Sequence, residues 1–159
     1  MPAGTQLPTA IGDLICASRF QQHMSEEFTY DISVRFRDLD PLNHVNHAVY
    51  ATYLEAARTT YLDEVLGIAA ENLSFVIANL EIDYVRPILA DHEPTVALRV
   101  ERLGTSSIVM SYEIRVDDDV AATAETTLVH IDPDSGTSAP LPEEARDAIR
   151  AYHGLEAAA

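Results

Sequence analysis

The chain has 159 residues, a length that suits one domain with a sizeable core, and its 47% apolar content argues against disorder. Twenty-six Asp and Glu oppose ten basic residues, all of them Arg, and the net charge of −16 repels nucleic acid and anionic membranes alike. No apolar run approaches the roughly 20 residues of a membrane span, and the single Cys16 excludes an internal disulfide and fits a reducing, cytoplasmic setting.

Residues 1–25 mix Pro2, Gly4, Pro8 and Gly12 with a short apolar patch at Leu14, Ile15 and Cys16, and read as a loosely attached extension. They lack the basic stretch and apolar core of a secretory leader, and Met24 offers an alternative start. Residues 26–159 read as one domain. From Phe28 to Arg37 apolar and polar residues alternate, which predicts a half-buried strand.

The next stretch, Asp38-Leu39-Asp40-Pro41-Leu42-Asn43-His44-Val45-Asn46-His47, places two carboxylates, two imidazoles and two carboxamides before a helix. Asn46 is a good N-cap. Val49, Tyr50, Tyr53, Leu54, Ala57, Tyr61, Val65 and Leu66 recur at spacings of three and four, and Gly67 supplies the stop. Glu55 and Arg58 stand three apart, a spacing that allows an ion pair.

Four strands should follow. Ser74–Tyr84 carries Phe75 and Ile77 in one phase and Leu80, Ile82 and Tyr84 in the other, which calls for a bulge near Ala78-Asn79. Thr95–Leu103 and Ser107–Val116 alternate cleanly around a Gly104 turn, and Asp117-Asp118-Asp119 turns into Val120–Ile131. A short helix begins at Pro142. One strand, one long helix and a run of hairpin-linked strands make an α+β domain, with an antiparallel sheet whose apolar face the helix covers.

Backbone N–H groups collect at a loop-to-helix junction, and this one also carries acid/base side chains. That pairing suits acyl transfer, where a carboxylate activates a nucleophile and N–H groups receive an oxyanion. Asp40 is the candidate activating carboxylate, and Asp38 is the better candidate for bonding local backbone amides. The spacing Asp40-x3-His44-x2-His47 also admits a zinc reading, which neither Cys nor further ligand clusters support. No metal or cofactor is therefore expected.

The block Arg35–Leu66 resembles the hotdog-fold acyl-CoA thioesterases of the 4-hydroxybenzoyl-CoA thioesterase type, including those associated with the Tol–Pal system. The Ile82–Pro87 and Gly104–Ser107 segments are similar to the family as well, so the likeness runs over about Phe28–Ile131. The resemblance implies an antiparallel sheet wrapped around one long central helix. It also implies hydrolysis of an acyl-CoA thioester, with Asp40 as the catalytic carboxylate, as either nucleophile or general base.

His47 matches the position whose N–H helps form the family's oxyanion hole, and Tyr50 matches a Tyr three residues later. The His44-Val45-Asn46 triplet also resembles plant acyl-ACP thioesterases, which implies that His44 takes part in catalysis; packing the loop is the other reading. Asn43 stands where relatives commonly carry Gly, as a positive φ would require. Arg86 and Arg102 are candidates for CoA phosphates, or else solvated charges at strand ends. The basic cluster that some members carry near the Gly104–Ser106 turn is absent.

Tyr53 and Glu55 would line an acyl pocket closed by a second copy. The family places its site at a subunit interface, which implies a homodimer or homotetramer. A thioesterase acting on acyl carrier protein and a non-catalytic acyl-CoA-binding hotdog protein are the alternatives. The absence of Lys together with acidic excess resembles cytosolic proteins of halophilic archaea.

Overall fold

A computed structural model describes residues 27–68, 72 and 74–156; the expected extension over residues 1–25 lies outside them. Five strands form one antiparallel sheet: β1 (Phe28–Asp31), β2 (Phe75–Tyr84), β3 (Thr95–Leu103), β4 (Ser107–Val116) and β5 (Asp119–His130). Their order across the sheet is β1-β3-β4-β5-β2. The first two strands therefore occupy opposite edges, and the helix between them, α1 (Val49–Leu66), carries the chain across.

The 18 residues of α1 make a rod about 27 Å long, against about 19 Å for the four inter-strand steps it must bridge. Its buried face is Tyr50, Tyr53, Leu54, Ala57, Tyr61 and Leu62, packed on Leu98, Ile108, Met110, Tyr112 and Ile114 of the sheet. This is the sheet-round-a-helix arrangement implied by the sequence. Gly67, at φ 65°, ends α1 in the left-handed conformation.

The helix α2 (Glu143–His153) starts behind Pro142 and closes one end of the core. Arg146 donates to the carbonyls of Gly104 and Thr105, and the His153 ring shares a 2.9 Å hydrogen bond with the Tyr61 hydroxyl. No helix among the described residues is long and apolar enough to cross a membrane.

The strand β2 shifts register between Ile77 and Asn79, the bulge its two hydrophobic phases require. Both phases thereby reach the helix-facing side, since cross-strand partners share a face and theirs, Leu128, Thr126 and Ala122, are buried. The β4–β5 turn holds Asp117 and Asp118 at positive φ, as a tight hairpin demands.

Three local expectations are corrected. β1 ends at Asp31 rather than Arg37, because β3, its pairing partner, begins only at Thr95; beyond one more backbone bond, Ile32 N–H to Pro94, the chain leaves the sheet. Phe36–Asp38 is instead a 3-10 turn, and the Phe36 side chain stands 94% exposed. Glu55 and Arg58 form no ion pair among the described residues; Arg58 approaches the Tyr112 hydroxyl, while Glu55 remains exposed.

Candidate active site

Two backbone ties fold the loop between the 3-10 turn and α1. The Asp40 N–H donates to the His44 carbonyl at 2.7 Å, and the Asn43 N–H donates to the Asp40 carbonyl at 3.0 Å. Asn43 takes φ 64°, the left-handed conformation that Asn adopts more readily than most residues. Its side chain lies at the exposed tip of the turn. The Val45 N–H then donates to the Ile88 carbonyl at 2.8 Å, fastening the loop to the segment after β2.

The two carboxylates have separate surroundings. Asp38 is buried and accepts the Arg35 N–H at 2.9 Å and the Tyr53 hydroxyl at 3.0 Å. Burial alone would raise its pKa, but those donors and the Arg35 guanidinium outweigh it and hold the carboxyl below its usual range. Asp38 is thus a structural anchor. Asp40, half-buried, accepts the Leu42 N–H at 2.8 Å and the His44 N–H at 3.1 Å, both on Oδ1. Its Oδ2 has no hydrogen-bond partner among the described residues. One oxygen is fixed and the other is free.

At the helix start, the Asn46 side chain accepts the Ala48 N–H at 2.9 Å, and its carbonyl accepts the Val49 N–H. The N-cap of α1 is Ala48, which has helical dihedrals and no side-chain cap, so Asn46 is not the cap expected of it: its side chain closes a local turn two residues earlier. The His47 N–H between them donates to no described group and carries the positive end of the helix dipole. The exposed His47 ring lies edge-on to Tyr84, with centroids 6.5 Å apart.

Asp40, His44, His47, Tyr50, Tyr84 and Arg86 line one open cleft of about 340 Å³, together with Val45, Val85 and Pro87. Tyr50 is its buried floor: burial pushes the hydroxyl above its usual pKa, countered in part by a hydrogen bond to the Ile88 backbone. Arg86 is held at the mouth by an ion pair with Asp119 at 3.0 Å, and its N–H and that of Val85 share the Ala121 carbonyl.

Five of the eight residues singled out from the sequence therefore share this cleft: Asp40, His44, His47, Tyr50 and Arg86. Asn43 supplies the turn behind it. Tyr53 lies elsewhere, buried against Asp38, because its position on α1 faces the β1 side. Arg102 also lies elsewhere. It sits opposite Val109 near the far end of the sheet, because antiparallel pairing sends the end of β3 away from the end of β2.

Sequence reasoning missed Tyr84. Its hydroxyl donates to the His47 carbonyl at 2.8 Å and its ring packs edge-on to Tyr50, with centroids 4.9 Å apart. Its place as the last apolar residue of β2, before Val85-Arg86-Pro87, was the available signal. Among the described residues no three His, Cys, Asp or Glu side chains come together to hold a metal ion.

Comparison with known proteins gives this geometry its context. The chain is 32% identical to the long-chain acyl-CoA thioesterase FadM of Escherichia coli K12 over 123 residues, 74% of this chain and 93% of that protein. It is 29% identical to the 1,4-dihydroxy-2-naphthoyl-CoA hydrolase of Nostoc punctiforme, across 74% of this chain and 82% of that protein. Among solved structures it resembles a thioesterase from Thermus thermophilus complexed with coenzyme A and Zn. That match has TM-score 0.75 and 41% identity and covers 81% of this chain and 96% of that one. A family model matches residues 34–149, which include the whole cleft and the helix beneath it, and the chain belongs to the Thioesterase-like superfamily.

Proposed function

We propose that the protein hydrolyses acyl-CoA thioesters to a free carboxylic acid and CoA at the Asp40 cleft. The observation that carries this reading is the division of the Asp40 carboxylate, with Oδ1 held by two backbone N–H groups and Oδ2 free, in a cleft that His47 also lines. A carboxylate so oriented needs no rearrangement before reacting.

Oδ2 is the reacting oxygen whether it takes a proton from water or attacks the thioester carbon itself. In the water route the O–H bond breaks, the new C–O bond forms, and the carbonyl oxygen takes the negative charge. The His47 N–H receives that oxyanion, helped by the helix dipole. The C–S bond then breaks, and the CoA thiolate leaves with a proton returned by Asp40 or supplied by His44. Arg86, at the mouth, is placed to meet phosphate oxygens of CoA. Hydrolysis of acyl-CoAs of graded length, followed by thiol release, tests the reading; no release from any acyl-CoA or acyl carrier protein thioester would make this an acyl-CoA-binding protein.

The working unit in this reading is a homodimer. β2 is an edge strand ten residues long, and Ile77, Leu80, Tyr84 and Val85 beside it are 40–59% exposed. A long, apolar, unpaired edge is a liability unless a second copy covers it. Sedimentation at equilibrium should give at least twice the monomer mass, and a monomer at micromolar concentration would refute the assembly.

A further inference from the structure

We propose that Arg58, held beside the Tyr112 hydroxyl, is a recognition point for a carboxylate at the far end of the acyl group. The favoured substrates are then ω-carboxyacyl thioesters of about eight to ten carbons rather than plain fatty acyl thioesters. The inference rests on the thioesterase reading above and specifies its substrate class.

The starting point is charge. Among the described residues, Arg35, Arg86, Arg99, Arg115, Arg146 and Arg150 each have a carboxylate within 4 Å. Arg37, Arg58 and Arg102 have none among the described residues; the first and last are exposed, but Arg58 is half-buried. In a chain with 26 acidic residues, a sheltered guanidinium with no carboxylate is an exception. A guanidinium has five N–H donors and no acceptor, and taking it from water costs energy unless those donors are used.

What surrounds Arg58 is polar and preorganised. It approaches the hydroxyl of Tyr112, which shares a 2.9 Å hydrogen bond with the Thr126 hydroxyl. Both are essentially inaccessible, at 2% and 0% exposure. They lie on the helix-facing side of β4 and β5, where otherwise apolar side chains pack. The hydroxyls are already engaged with each other and, for Tyr112, with the Met110 sulfur at 3.4 Å, so an anionic oxygen is received by the N–H donors that Arg58 has left.

The spot lies at a definite distance from the cleft, by two separate routes. Along α1, Arg58 is eight residues beyond Tyr50, the cleft floor, which is about 12 Å of helix. Along β5, Thr126 is four residues beyond Ala122, the partner of Tyr84, which is about 13 Å of strand. Leu80, directly across from Thr126, and Ile82 lie between the two on the helix-facing side of β2, and Leu80 remains 40% exposed. An extended chain advances about 1.2 Å per bond, so eight to ten carbons connect the reacting carbonyl to the guanidinium. Apolar side chains between the cleft and a cation suit an apolar chain ending in a carboxylate.

The test compares decanoyl-CoA with its ω-carboxy counterpart of equal length. It measures thioester hydrolysis and, by calorimetry, binding of the non-hydrolysable thioether analogues to the wild type, Arg58→Met and Arg58→Lys. The wild type should favour the ω-carboxy compound at least tenfold in both measurements. Arg58→Met should bring the ratio to near one, and Arg58→Lys should retain part of it.

Equal binding of the two compounds by the wild type would overturn the proposal. So would an equal loss for both in Arg58→Met, as expected if Arg58 only braces Tyr112. A changed assembly with an unchanged ratio would also overturn it, by giving the guanidinium to a carboxylate of a second copy. A preference in thioether binding without hydrolysis of either thioester would refute the hydrolase reading and leave this one standing.

Discussion

The Tyr84 hydroxyl donates to the carbonyl oxygen of His47 at 2.8 Å, tying the end of β2 to the turn that starts α1. His47 is thereby gripped from both sides. Its carbonyl is held by the sheet, and the peptide that bears its N–H is held through the Asn46 carbonyl, which accepts the Val49 N–H at 2.9 Å. The direction of the His47 N–H follows from these two restraints.

Tyr84→Phe removes the hydroxyl and keeps the ring against Tyr50. A neutral hydrogen bond of this kind is worth about 0.5–1.5 kcal/mol, so a two- to tenfold fall in kcat with little change in KM is the expected outcome. Steady-state kinetics on one acyl-CoA checks it, and a rise in KM at constant kcat would assign Tyr84 to ground-state binding instead.

The Tyr53–Asp38 bond should appear in stability before it appears in catalysis. Tyr53→Phe leaves a buried carboxylate with one donor fewer and should cost about 1.5–3 kcal/mol, as for hydrogen bonds to charged groups. Urea unfolding measures it.

The same pair sets an acid dependence. The folded pKa of Asp38 lies below its unfolded value, so its contribution is complete above about pH 4 and disappears as pH falls through the folded value. Glu27 behaves likewise, lowered first by its hydrogen bond with Arg115 and further by Arg99, and opposed by burial. Glu27 joins the start of β1 to β3 and β4, so acid should loosen that edge. A wild-type stability curve that stays flat from pH 6 to pH 2 would contradict both assignments.

At Asn43 the backbone rather than the side chain is the prediction. Asn43→Gly should keep activity within about twofold and stability within a few tenths of a kcal/mol, because Gly accepts φ 64° without strain. Asn43→Val should cost about 1–2 kcal/mol and lower kcat by displacing Asp40. A large activity loss in Asn43→Gly would mean that the carboxamide itself touches substrate.

Much of this was legible because local periodicity and tertiary role coincide. The alternations of β3 and β4 and the double phase of β2 each record a face in contact with α1, and the Asp-rich turn marks a hairpin. Where partners decide, the sequence was misleading. The alternation through Phe36 continues past the point where β3 can pair with it. The Glu55–Arg58 spacing does not show that a buried hydroxyl attracts the arginine. Arg86 and Arg102 look alike as strand-end charges, yet antiparallel pairing sends them to different ends of the sheet. Tyr84 became visible as a site residue only once β2 was laid beside the helix start.

The central claim is that the free oxygen of Asp40 performs the chemistry, and Asp40→Asn tests it most directly. Asn retains an Oδ1 that can accept the Leu42 and His44 N–H groups, so the loop and its stability should persist within about 1 kcal/mol. Single-turnover hydrolysis of a good acyl-CoA substrate should slow by about 10²–10⁴-fold, the usual contribution of a general base, with acyl-CoA affinity little changed. Hydrolysis within a few-fold of wild type by a stably folded Asp40→Asn variant would contradict the account.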